Sequence, residues 1–153
     1  MGQVSQNKSS KRVAVYCRVI EETDNFEPLL KVQITQLTDV IDENSAWELV
    51  GVYAEQITET DPNDQVEFNR LLTDCKNSCI DIVLVESMRQ LCPNLDIPTM
   101  HAIYQQFSAL GIEIWFNKEQ LSSNDDVVCE LFETYEEYLA HPSAAKLLRT
   151  YFE

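Results

Sequence analysis

The chain has 153 residues, 44% of them hydrophobic, enough for one domain with a substantial core and too few for two ordinary ones. Its 26 acidic and 11 basic residues give a formal net charge of −15. That charge favours solubility and opposes unassisted binding to a phosphate backbone, because neutralising phosphates needs Lys and Arg.

No apolar run approaches the ~20 residues of a membrane span, and the polar stretch Met1 to Ser10 lacks the core of a signal peptide. Residues 1–10 are expected to be a disordered lead-in to a cytoplasmic protein. The five cysteines, Cys17, Cys75, Cys79, Cys92 and Cys129, are odd in number and follow no secretory signal, which argues for reduced thiols. Cys75 and Cys79 have no second pair, and His101 and His141 follow no ligand spacing, so no metal is expected.

Lys11 to Glu22 opens the folded part, and in it Arg12 to Val19, with the near-continuous apolar run Val13-Ala14-Val15-Tyr16-Cys17, suits a strand buried on both faces of a parallel sheet. Arg18 stands at its carboxyl end, where open α/β sheets place their chemistry. After a polar connection from Thr23 to Pro28, Leu30, Ile34, Leu37 and Ile41 keep helical spacing. Trp47 to Ala54 reads as a second strand, and Glu55 to Asp64 as a polar loop in which Asp61-Pro62-Asn63-Asp64 has the composition of a turn and N-cap. Phe68, Leu71, Leu72 and Cys75 mark a second helix, and Ile80 to Val85 a strongly β-branched third strand.

The loop from Glu86 to Asn94 leads to a third helix carrying Met100, Ile103, Tyr104, Phe107 and Leu110. Gly111 is expected to end it, and Ile112 to Phe116 supply a fourth strand. The order βαβαβαβ predicts an α/β fold: three layers, with a mostly parallel sheet flanked by helices. From Asp125 to Leu139, apolar positions at helical spacing alternate with six acids, and Ala144, Leu147, Leu148 and Tyr151 restart an apolar face beyond Pro142. This acidic tail either packs on the domain or serves association with a partner or with itself.

Tyr16-Cys17-Arg18-Val19 resembles the opening motif of the serine recombinases, the resolvase/invertase family, and most of all their large branch. Gln33, Trp47 to Ala54, Glu67 to Leu72, Ile80 to Leu84 and Leu110 to Phe116 fall where that family has similar residues, so the resemblance runs from about Arg12 to about Leu121. It implies a resolvase-like catalytic-domain fold over 11–121 and an acidic helical tail over 122–153, without the separate DNA-binding region of the family.

The family's chemistry is attack of a serine hydroxyl on a DNA phosphodiester, with arginines holding the phosphate and stabilising charge as it builds. The nucleophile follows the Arg-Val pair, a position held here by Ile20. The arginine preceding the second helix corresponds to Gln65. The two arginines after the third strand correspond to Gln90 and Pro93, with Arg89 one residue out of step. Of the family-equivalent positions Arg18, Ile20, Gln33, Gln65, Gln90 and Pro93, only Arg18 and Gln33 match, so no catalytic residue is expected. Ser9, Ser10, Thr23 and Ser87 have no neighbouring base, Glu21-Glu22 reads as a solvated pair, and Gly2, Gly51 and Gly111 are not placed for a phosphate-binding turn, so no cofactor is expected.

The reading is therefore a serine-recombinase-like protein without strand-exchange activity. It would act as a protein-interaction or regulatory module of a site-specific recombination system, with a full-length serine recombinase or itself as partner and little direct DNA binding. The alternative is an active strand-transferase subunit with a displaced nucleophile or one working within a hetero-oligomer.

Overall fold

The computed structural model describes residues 10–20, 26–57, 65–77, 79–92 and 96–140. A five-stranded sheet has the order β2-β1-β3-β4-β5, with β1 at Lys11–Ile20, β2 at Trp47–Ile57, β3 at Ile82–Val85, β4 at Glu113–Phe116 and β5 at Leu121–Ser122. The first four strands are mutually parallel, and β5 is antiparallel to β4. The helices are α1 (Phe26–Asp42), α2 (Val66–Lys76), α3 (Met88–Leu91), α4 (Ile97–Ala109) and α5 (Asp126–Ala140).

Successive side chains of a strand point to opposite faces, so β1 and β3 feed two cores. Val13, Val15, Cys17, Ile82 and Leu84 meet Leu37 and Ile41 of α1 on one face. Ala14, Tyr16, Val83 and Val85 meet Phe68 and Leu71 of α2 and Phe107 of α4 on the other. Each fully buried aliphatic side chain in these layers contributes roughly 1.5–3 kcal/mol relative to exposure. The expected three-layer, mostly parallel α/β architecture is the observed one, and β1 is covered on both faces.

Several boundaries differ from the sequence reading. Helix α1 begins at Phe26, inside the segment expected to be a connection. The strand expected from Ile80 starts at Ile82, and Asp81 just before it accepts from the Arg12 backbone N–H and guanidinium through its carboxylate. The loop after β3 contains the short α3, whose N-cap Ser87 accepts a hydrogen bond from the Arg89 N–H at 3.2 Å. Glu55, expected in a loop, is buried within β2. Strand β5 has no counterpart in the sequence reading, since two residues are too few to show a period.

Gly111 follows α4 with φ +74°, the left-handed conformation that favours glycine after a helix. Helix α5 lies against α4: Val128 and Phe132 are buried, the Tyr104 and Phe132 rings are 4.6 Å apart, and His101 Nε2 meets Glu136 Oε2 at 2.8 Å. The lead-in through Ser9, the Asp61 to Asp64 cap signature and the terminal segment with Ala144 and Leu147 lie outside the described residues. Among the described residues no helix is long and apolar enough to cross a membrane.

Candidate functional site

The carboxyl ends of β1, β2 and β3 meet at one edge of the sheet. Arg18 is half-buried there, and its backbone N–H donates to the side-chain oxygen of Gln90 at 2.7 Å. Because Ser87 caps α3, this single turn carries Gln90 back under the end of β1. In the parallel register of β1 and β2, Arg18 is paired with Glu55.

Glu55 organises the other side of the edge. Its Oε2 accepts from the Glu67 N–H at 3.1 Å, and its Oε1 accepts from the Phe68 N–H at 3.0 Å and from the Tyr16 hydroxyl at 3.4 Å. These two amides belong to the first turn of α2, where N–H groups lack intrahelical partners and the helix dipole favours negative charge. The residue at the N-cap itself, Gln65, makes no side-chain capping bond. A carboxylate in the neighbouring strand therefore caps the helix.

Burial pushes the Tyr16 phenol above its ordinary range, and Glu55 adds to the rise while Arg18 opposes it. Burial pushes the Cys17 thiol up to about 12, with Glu86 adding to the effect. Neither side chain is a nucleophile at neutral pH.

A cleft of about 260 Å³ opens at this edge, bordered by Tyr16, Arg18, Gln65, Phe68 and Asn69 on one side and by Thr99, Ala102 and Gln106 of α4 on the other. The structure thus brings Arg18, Gln65 and Gln90 into one neighbourhood. Gln33 lies on α1, outside the lining of that cleft; its side-chain oxygen is buried without a hydrogen-bond partner among the described residues. Ile20 ends β1, and Pro93 falls outside the described residues. Arg89 is exposed on α3. Ser87, weighed as a substitute nucleophile, is occupied as the cap of α3. No group of three or more His, Cys, Asp or Glu side chains suited to a metal ion occurs among the described residues.

Among the described residues the edge offers the guanidinium of Arg18, the carboxamides of Gln65, Asn69, Gln90 and Gln106, and a buried carboxylate already engaged by helix amides. That set forms directional hydrogen bonds; it is not a cluster of cations around an anion. The sequence reading missed Glu55. The available signal was an acid continuing an apolar strand 13 residues before Phe68, the first buried position of α2, and its partners lie in segments that only folding brings together.

Residues 13–148 match the family model described as "Resolvase, N terminal domain". Among solved structures, the N-terminal catalytic domain of TP901-1 integrase is similar with a TM-score of 0.63 at 18% identity, over 86% of this chain and 100% of that one. A resolvase-family site-specific recombinase from Streptococcus pneumoniae is similar with a TM-score of 0.62 at 16% identity, over 90% of this chain and 95% of that one. At these identities the two likenesses carry the fold. No curated protein matches the chain.

Proposed function

From the premise that the chain belongs to the resolvase N-terminal domain family of serine recombinases, we propose that it is a non-catalytic member, working as an interaction or regulatory module in a site-specific recombination system. The observation that carries this reading is Ile20, directly after Arg18-Val19, where the family resemblance implies the nucleophilic serine. An alkyl side chain has no lone pair to attack phosphorus, so the covalent step has no starting group.

The surroundings support the same reading. Transfer of a phosphodiester needs fixed cationic donors around the developing charge. Gln65 and Gln90 stand at two positions where the resemblance implies arginine, and the side-chain oxygen of Gln90 accepts the Arg18 amide. Partner binding follows from a retained fold without its chemistry; the partner would be a full-length serine recombinase of the same cell.

Incubation with supercoiled plasmid, read on a denaturing gel, tests the reading. The expected result is neither nicks nor protein-linked DNA, and a covalent product would overturn it. Light scattering of mixtures with full-length serine recombinases then tests the interaction role. A strict monomer that binds none of them would remove it.

A further inference from the structure

The cleft of about 260 Å³ at the carboxyl edge of the sheet has two kinds of wall. Arg18 is the one charged residue lining it among the described residues, and Asn69 of α2 and Gln106 of α4 add carboxamides from opposite sides. Much of the remaining surface is apolar: Phe68 and Leu91 are buried there, and Ile103 is partly buried beside them. The volume lies just under the roughly 300–1,000 Å³ usual for small-ligand sites.

Charge narrows the ligand. The positive end of α2, the other feature of this edge that favours an anion, is already filled, because both oxygens of Glu55 accept from its first-turn amides. An anion in the cleft therefore meets one guanidinium near a buried carboxylate, Arg18 and Glu55 being register partners in β1 and β2. A phosphate monoester carries about 1.5 to 2 negative charges at neutral pH and would be repelled by Glu55 while it is drawn to Arg18. A carboxylate carries a single charge, and its two oxygens match the fork of one guanidinium. The apolar wall calls for a hydrocarbon body on the same molecule. We propose that the cleft binds a small monocarboxylic acid with an aryl or branched alkyl body, held through Arg18. The inference rests on the non-catalytic reading above, in which Arg18 serves no phosphodiester.

The test titrates the full chain with phenylacetate, followed by NMR, and compares phenylacetamide, which lacks the charge, and phenyl phosphate, which adds to it. Phenylacetate is expected to bind about tenfold tighter than either and to shift the side-chain amide signals of Asn69 and Gln106. Arg18→Gln should bring phenylacetate down to the level of phenylacetamide. Ala102→Trp, altered at an exposed position of α4 on the cleft wall, should keep its circular dichroism and abolish binding of both, and it carries the test if Arg18→Gln does not fold. Tighter binding of phenyl phosphate than of phenylacetate overturns the proposal in favour of a phosphate site. Acetate binding as tightly as phenylacetate, unchanged binding in Ala102→Trp, or no binding of phenylacetate at millimolar concentration also overturns it. The plasmid assay reads separately: a covalent product there removes the non-catalytic reading, while failure of phenylacetate to bind leaves that reading standing.

Discussion

The backbone N–H of Arg18 donates to the side-chain oxygen of Gln90 at 2.7 Å across 72 positions of sequence, tying the end of β1 to the turn of α3. The position is built around an acceptor. A guanidinium has five donors and no acceptor, so an arginine at 90 cannot make this contact and would leave the Arg18 amide facing another donor. Gln90→Arg is therefore expected to lower stability by about 1–3 kcal/mol, while Gln90→Glu, which keeps an acceptor, costs less. Urea unfolding of the two variants checks the ordering.

The same geometry bears on restoring a nucleophile. Ile20→Ser supplies the hydroxyl that the family resemblance implies but leaves Gln65 and Gln90 in place of cations. No protein-linked DNA is expected from this variant on supercoiled plasmid, and detectable covalent product would show that Arg18 supports the chemistry without those cations.

Glu55 accepts from two amides of the first turn of α2 and from the Tyr16 hydroxyl. Glu55→Ala leaves those donors without their acceptor and is expected to cost about 2–3 kcal/mol. Glu55→Gln keeps one side-chain oxygen and should fall between Ala and the unaltered chain. Chemical denaturation measures both, and amide exchange at Glu67 and Phe68 should rise in the Ala variant.

Hydrogen bonds from the Arg12 side chain hold the Asp81 carboxyl below its ordinary range, with the Arg12 backbone N–H adding to the effect. A folded pKa below the unfolded one contributes stability that is present above the unfolded value, about 4 for Asp, and is lost as pH falls through the folded value. Asp96, which accepts from the Thr99 N–H at 3.0 Å, is shifted in the same direction. Urea midpoints should therefore drop on acidification below about pH 4. Asp81→Asn should shrink the drop modestly, since the Arg12–Asp81 pair lies near the surface.

The thiols separate by burial. Cys17 and Cys75 are both pushed up to about 12, chiefly by burial, and Cys92 is also buried, whereas Cys79 is exposed. Thiol titration of the folded protein at pH 8 should label Cys79 first, and Cys17, Cys75 and Cys92 only after denaturant is added. Rapid labelling of Cys17 in the folded chain would mean that β1 is not sealed by α1.

What the sequence by itself determined is local and periodic. The unbroken apolar run of Val13 to Cys17 requires a strand covered on both faces. Leu37 with Ile41, and Phe68 with Leu71, repeat at the helical period, and the alternation of such segments leaves a mostly parallel sheet as the way to bury them. Ile20 after Arg18-Val19 is likewise visible without coordinates. Tertiary structure decided the pairings. Glu55 has the composition of a loop residue, yet it is buried in β2 because two amides 12 and 13 positions away come to its carboxylate. Gln90 is a plain loop glutamine until α3 folds beneath β1. Strand β5 exists because β4 offers an edge to pair with. A hydrophobic period is written along one segment and survives in the sequence. A hydrogen-bond partner belongs to two segments at once and is defined only when the chain has closed the loop between them.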